Sequence, residues 1–395
     1  MADKIHIVIT GRRNTGKSSL INCILGQQKA IVSDIAGTTT DPVRKSYELP
    51  GVASLVLIDT AGIDDEGAIG ALRTRKTLET IKEADIAILV VTNNRFSTHE
   101  EQLIRHFQTY DQPFLILHNQ SDLVPPSSAF CQEMKKKFHT DTIAFSTRQP
   151  DCSALLEAIA RLIGARKTPA PLEGLVASGQ RVMLVTPIDS EAPAGRMILP
   201  QVQVLRDILN HHCIGSVLQP EELPAFFASN SPKPDLVITD SQVFGKVASL
   251  VPEDIPLTSF SIILAHQKGH FEKYLEGTPK IEALKDNDRI LMLESCSHHV
   301  SCEDIGRIKI PNLLRKYTGK QLSFDFVAGL DEIQRPFSDY ALIIQCGGCM
   351  ITSRQLYNRL QPAVEAQITV SNYGMAIAYV QGIFKRATQL FESKR

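Results

Sequence analysis

Two short cysteine runs carry the most distinctive chemistry in this chain: Cys296-Ser297-His298, and later Cys346-Gly347-Gly348-Cys349. Thiolates and imidazoles are ligands of zinc and of iron–sulfur clusters, and a Cys-x-x-Cys pair alone is equally a redox dithiol. A redox pair would not need Cys296. Three cysteines suit a 4Fe–4S cluster whose fourth iron takes an exchangeable ligand, and the two glycines leave backbone N–H groups open to cluster sulfides. His298 is a candidate fourth ligand. Zinc is the alternative, because three cysteines and a histidine are a recognised structural set. Cys302 lies close by, but nothing in its spacing favours it. Cys23, Cys131, Cys152 and Cys213 are scattered singly and read as small apolar residues.

The opposite end of the chain holds a phosphate site. A strand from Lys4 to Ile9 delivers Gly11-Arg12-Arg13-Asn14-Thr15-Gly16-Lys17-Ser18, followed by a helical repeat from Ser19 to Leu25. This is G-x-x-x-x-G-K-[ST] in its strand–loop–helix context. Gly11, Asn14, Thr15, Gly16 and Ser19 belong to the loop and first helical turn that close on phosphate oxygens, with the helix dipole behind them. Lys17 reaches the β- and γ-phosphates, and Ser18 is placed to hold Mg²⁺. Within Gly37-Thr38-Thr39-Thr40-Asp41, Thr39 is the hydroxyl expected on the metal when the γ-phosphate is present. Asp59 ends the strand Leu55 to Ile58 and holds the Mg²⁺ shell, while the Gly62 N–H senses the γ-phosphate. Lys17, Thr39 and Gly62 are therefore the catalytic candidates. The strand Phe114 to His118 leads to Asn119-Gln120-Ser121-Asp122, whose aspartate accepts from guanine N1–H and the 2-amino group. Adenine offers no such pair, so the expected ligands are GTP and GDP.

Three departures qualify this site. The base-recognition motif of these GTPases is Asn-Lys-x-Asp, and here Gln120 replaces the lysine that buttresses the phosphate loop. Phe145-Ser146-Thr147 stands where Ser-Ala-Lys is usual, which makes Ser146 a weaker base contact. Ile63 stands where many signalling GTPases carry a water-orienting glutamine, leaving Asp64, Asp65 and Glu66 as candidates set in an otherwise solvated acidic run. This part of the chain resembles the TrmE-Era-EngA branch of GTPases, which share the apolar replacement and the stretch Ile31 to Thr39. The resemblance implies K⁺ stimulation, with Asn14 on the ion and the backbone carbonyls of Ser33 and Ile35 completing its shell.

The elements that must position these groups are those of an α/β chain in three domains. At 395 residues it exceeds one ordinary core. Arg166 to Gly174 carries two prolines and no apolar periodicity, and reads as a linker. The expected organisation is a P-loop GTPase domain over 1–167, a small α/β dimerisation or scaffold domain over 175–265, and a C-terminal α/β iron–sulfur domain over 266–395. In the middle domain Arg181 to Ile188, Asp235 to Thr239 and Leu257 to Ala265 read as strands of a parallel sheet, and Gln201 to Leu209 as a helix. His211-His212-Cys213 reads as a polar helix end. In the last domain Ile290 to Leu293 and Tyr340 to Ile344 are strands that end at the two cysteine runs. If they are adjacent and parallel, the runs converge on one sheet edge. The net charge of -1, from 42 Lys+Arg and 43 Asp+Glu, argues against a nucleic-acid or membrane surface. No apolar run approaches a membrane span and no signal segment is evident, so a cytoplasmic protein is expected, with proteins or small ligands as partners.

Over nearly its whole length the sequence resembles the HydF family of FeFe-hydrogenase maturation GTPases. The resemblance rests on the phosphate loop, Val185-Thr186-Pro187-Ile188-Asp189-Ser190-Glu191-Ala192-Pro193 with Gly195-Arg196, Gln201-Val202-Gln203, and the two cysteine runs. It implies a homodimeric scaffold that binds a 4Fe–4S cluster, receives a two-iron precursor from two radical-SAM maturases and delivers it to apo FeFe-hydrogenase. The family pattern is Cys-x-His then His-Cys-x-x-Cys, and here Gln345 occupies the second histidine, leaving the fourth ligand open between His298, water, a carboxylate and the cargo. The competing class is an Era-like GTPase of RNA or ribosome biology carrying a structural zinc. Near-neutral charge and the lack of a GXXG-centred RNA module weigh against it.

Overall fold

The computed structural model describes residues 4–26, 34–35, 42–62, 67–165, 169–188, 197–295 and 304–392. The chain divides into two compact units, Met1–Lys167 and Thr168–Arg395. In chain order the first comprises β1 (Ile5–Gly11), α1 (Lys17–Gly26), β2 (Asp34–Ile35), β3 (Val43–Leu49), β4 (Ala53–Asp59), α2 (Gly67–Glu83), β5 (Ile86–Val91), α3 (Thr98–Thr109), β6 (Phe114–His118), α4 (Ser128–Phe138), β7 (Thr142–Ala144) and α5 (Ser153–Ala165). Its seven strands run in the order β2-β3-β4-β1-β5-β6-β7. Only the pairings of β3 with β2 and with β4 are antiparallel. Helices cover both faces, so the strands bury both sides: Ile7 and Ile9 join one core and Val8 the other.

The second unit comprises β8 (Arg181–Val185), α6 (Leu199–Asn210), β9 (Ile214–Leu218), α7 (Leu223–Ala228), β10 (Leu236–Thr239), α8 (Phe244–Leu250), β11 (Leu257–Ser259), α9 (Phe260–Lys268) and α10 (Phe271–Gly277). It continues with β12 (Arg289–Leu293), α11 (Ile310–Thr318), β13 (Ser323–Val327), β14 (Leu342–Gln345), α12 (Ser353–Glu365), β15 (Val370–Asn372), α13 (Tyr373–Val380) and α14 (Phe384–Glu392). The strands form two four-stranded sheets, β11-β10-β8-β9 and β13-β12-β14-β15, parallel throughout. One hydrophobic core runs from Val182 through Leu291 and Ile343 to Phe391, so the expected middle and last domains share it. Ile290, Met292, Leu342 and Ile344 face a second cluster on the far side of the last sheet.

Two expectations change at this level. Leu257 to Ala265, read as one strand, is β11 followed by α9. Ser259 caps the helix by accepting from the Ile262 N–H. Phe260, Ile262, Ile263, Leu264 and Ala265 are all buried, so no polar face gave the helix a periodicity to read. In the stretch read as linker, 166–168 lie outside the described residues, but Leu172 is fully buried and its N–H donates to Asp207 Oδ2. Its end is thus anchored in the second unit.

Candidate functional site

The phosphate loop is tied down by its own carbonyls. Lys17 Nζ donates to Arg12 O at 2.7 Å and Gly11 O at 3.2 Å, and Thr15 Oγ1 donates to Arg12 O. A side-chain carbon on Gly11, at φ +147°, would lie 2.3 Å from Val90 O, so this approach of loop to strand requires glycine. Asn14 is exposed at the turn with φ 59°, and Ser19 is exposed on the first turn of α1. Gly62 lies against the loop from the far side, where a side-chain carbon would come within 2.7 Å of the Arg13 nitrogen. Arg12, which sequence reasoning passed over, reaches across to α3. Its Nε and Nη2 grip both carboxylate oxygens of Glu100, and its Nη2 also meets Ser97 Oγ. Glu100 simultaneously closes the capping box of α3 through the Ser97 N–H. Burial alone would raise the Glu100 carboxyl; these hydrogen bonds hold it below its ordinary range.

At the end of β4, Ser18 Oγ donates to Asp59 Oδ2. Burial pushes the Asp59 carboxyl above the usual carboxylate range, against the pull of Ser18, Lys17 and Lys45. Asp59 Oδ1 is buried with no hydrogen-bond partner among the described residues. A desolvated carboxylate oxygen beside a serine hydroxyl fits a hard divalent cation, so Ser18 and Asp59 would hold Mg²⁺, which neutralises phosphate charge. Thr39, Ile63, Asp64, Asp65, Glu66 and Ser33 lie outside the described residues.

The base loop is bound to the phosphate loop. Asn119 is fully buried, and its Nδ2 donates to Thr15 O at 2.7 Å across β1, β5 and β6. Gly16, at φ +86°, makes room for that amide. Ser146, expected as a base contact, donates to Asp122 Oδ1 at 2.6 Å and orients the carboxylate. Arg148, whose N–H donates to Ser146 Oγ, has its Nη1 3.8 Å from Asp122 Oδ2. Neither role had a sequence signal, because both contacts join residues more than twenty positions apart.

In the second unit β12 and β14 are adjacent and parallel, with Leu293 opposite Gln345 and the Cys346 N–H donating to Leu293 O. Ser295, the last described residue before Cys296, has its Oγ 2.6 Å from Cys346 Sγ. Burial raises the Cys346 thiol, while Ser295, the Gly348 N–H and the Arg359 guanidinium favour the thiolate. Arg359 reaches the strand ends through Glu294 O and Val327 O. Gly348 takes φ +75° against Leu356. A Cys-x-x-Cys loop at a strand end, with thiolate-stabilising donors and a cation beside it, fits a thiolate-ligated metal group. Cys346 and Cys349 would hold it. Cys296, His298 and Cys302 lie outside the described residues, and among the described residues no three His, Cys, Asp or Glu side chains gather as a metal site. Gln345 is fully buried, and its Nε2 donates to Leu356 O.

Comparison with known proteins matches residues 172–269 to a family model described as Hydrogen maturase F dimerization domain, and 272–390 to Hydrogen maturase F tetramerization domain. Together these span more than half of the sequence. The chain belongs to the hydrogen maturase F family. Residues 6–120 match a model described as 50S ribosome-binding GTPase, in keeping with the P-loop GTPase fold of the first unit. GTPase Der of Persephonella marina is 37% identical over 141 residues, covering 34% of this chain and 31% of that protein. The tRNA modification GTPase MnmE of Endomicrobium trichonymphae is 40% identical over 140 residues, covering 34% and 30%. The chain thus spans under a third of either relative's length. No helix among the described residues is long and apolar enough to cross a membrane.

Proposed function

We propose that this protein is a GTP-hydrolysing scaffold that carries a 4Fe–4S cluster on Cys296, Cys346 and Cys349 and hands a two-iron precursor to apo FeFe-hydrogenase. The observation that carries the reading is the meeting of Ser295 with Cys346 at the ends of β12 and β14, because Ser295 is followed directly by Cys296. His298 is the fourth-ligand candidate. The first unit binds GTP through Asp122 and Mg²⁺ through Ser18, Asp59 and Thr39. K⁺ on Asn14 supplies the charge that an arginine finger gives elsewhere. The supply of the precursor falls to radical-SAM maturases.

Self-association is supported by both matched maturase models. The surface proposed for a homodimer is the edge strand β9, where Ile214 and Val217 are exposed, together with Val202 and Leu209 on α6. An RNA or ribosome role rests only on the GTPase match, whereas the second unit matches maturase models. Anaerobic iron and sulfide analysis of the reconstituted protein tests the proposal. About four irons per chain, lost in Cys346→Ser, is the expected result; zinc in stoichiometric amount without iron would replace it with a structural metal.

A further inference from the structure

The two sheets of the second unit are the same object met twice. β8 pairs with β9 from Arg181↔Ile214 to Val185↔Leu218, and β12 with β13 from Arg289↔Ser323 to Leu293↔Val327. Leu236 lies opposite Val182 and Thr239 opposite Val185; Leu342 lies opposite Ile290 and Gln345 opposite Leu293. The last strands repeat it, with Val237↔Leu257 to Thr239↔Ser259 and Ile343↔Val370 to Gln345↔Asn372. The register is identical at every strand, and the flanking bonds follow: the Thr186 N–H donates to Leu218 O as the Glu294 N–H donates to Val327 O. The helices after the first strands open with Leu199-Pro200 and Ile310-Pro311. β11, α9 and α10 begin at Leu257, Phe260 and Phe271, and β15, α13 and α14 at Val370, Tyr373 and Phe384, the same intervals apart.

The copies also pack reciprocally. α10 of the first lies on β15 of the second, and α14 of the second on β11 of the first. α9 packs on α12, and α13 on α8. Ser261 and Gly374 are equivalent positions, and they touch: the Gly374 N–H donates to Ser261 Oγ at 3.2 Å, and no side-chain carbon fits between them. A residue in contact with its own equivalent marks a twofold axis, here inside one chain.

In this frame Cys346, the first residue past its strand, corresponds to Asp240, so the fold is built equally well without that thiol. Each loop after the third strand is walled by the other copy. A side-chain carbon on Gly347 would stand 3.4 Å from Leu264 Cδ1 and 3.5 Å from Ser261 Cα, and buried Lys268 at the end of α9 donates to Gly348 O at 3.4 Å. Gln381, the equivalent of Lys268, lies over Gly245 beyond the Asp240 loop.

We infer that residues 169–392 are a tandem duplication packed as an internal pseudo-dimer, and that α9 of the first copy positions the cysteine loop of the second, with Lys268 as a positioning residue. The cysteine role rests on the proposed function; the duplication does not. The test uses the full-length, metal-free chain. Alkylation of Cys346 by iodoacetamide, followed by mass spectrometry, should run about tenfold faster in Lys268→Met, the scale of one charge-assisted hydrogen bond. Lys268→Arg should restore the slow rate, and Gln381→Ala should leave it unchanged. Hydrogen exchange in mild denaturant adds a readout that needs no variant: α10 amides should open together with β15, and α14 amides with β11. Unchanged alkylation in Lys268→Met, or α10 amides opening with β10 independently of β15, would overturn the inference. Because alkylation is read without metal, its result stands apart from the cluster reading, which iron and sulfide analysis of the reconstituted protein tests.

Discussion

At the carboxyl edge of β1, Lys17, Thr15 and Asn119 are engaged by carbonyls of a single loop, and the motif that builds the site is eight residues long. At the carboxyl edges of β12 and β14 the cysteine loop closes on itself only through the Gly348 N–H on Cys346. It depends on Ser295 from one strand, Arg359 from α12, and Leu264 and Lys268 from α9 in the other half of its unit. The phosphate loop closes largely on its own carbonyls, with Glu100 and Asn119 reaching it from α3 and the end of β6; the cysteine loop draws most of its support from distant elements. The first should therefore tolerate damage to the second, while the second should respond to changes far from its ligands.

The sharpest way to break that comparison is Lys17→Ala. Removing the charge aimed at the transferring phosphoryl group should cut hydrolysis by roughly 10²- to 10³-fold, measured as phosphate release, while bound iron stays at the wild-type level. Loss of iron in this variant would mean that the two sites are not separately held.

Glu100→Ala tests whether the phosphate loop is anchored through α3. It leaves Arg12 without its buried partner, and breaking such a pair costs roughly 3 kcal/mol, readable as a lower urea midpoint of the first unit. The folded Glu100 carboxyl lies below its unfolded value, so the pair's contribution is complete above about pH 4.3. It should be lost as pH falls through the folded value, and that acid loss should be absent from Glu100→Ala.

Asp122→Asn should weaken GTP by roughly 10- to 100-fold, the worth of charge-assisted hydrogen bonds to the base, and favour xanthine nucleotides in a competition titration. Equal competition of ATP with GTP in the wild type would remove Asp122 from base reading. The smallest effect is that of the monovalent ion. Turnover of about 10⁻⁴ to 10⁻² s⁻¹ is expected without a catalytic glutamine or arginine finger, rising in KCl over matched NaCl. The rise should vanish in Asn14→Ala.

The nucleotide site was legible because each of its parts is a short contiguous motif: one loop with its helix start, and one base motif. Arg12 with Glu100, and Ser146 with Asp122, escaped notice because their partners lie 88 and 24 positions away. That β12 and β14 end side by side, with Ser295 against Cys346, could be anticipated from the strand reading, since parallel neighbours share an edge. α9 could not, because a helix buried on nearly every face has the composition of a buried strand. The duplication was hidden for a related reason. Parallel strands buried on both faces accept any large apolar residue, so Val182 to Val185 and Ile290 to Leu293 share register without sharing identity. The mark the repeat leaves in sequence is slight: the shared apolar-Pro helix starts, Leu199-Pro200 and Ile310-Pro311.

The central claim is that the cysteine edge holds an iron–sulfur cluster, and anaerobic reconstitution followed by iron, sulfide and low-temperature EPR measurement tests it most directly. Wild type should hold about four irons and four sulfides, as a 4Fe–4S cluster requires, with a reduced-state EPR signal. Cys346→Ser should lose both while hydrolysing GTP normally, and Gln345→Ala should keep most of its iron. A triple Cys296→Ser, Cys346→Ser, Cys349→Ser variant that stays folded by circular dichroism, yet retains a full cluster and matures hydrogenase, would contradict the account.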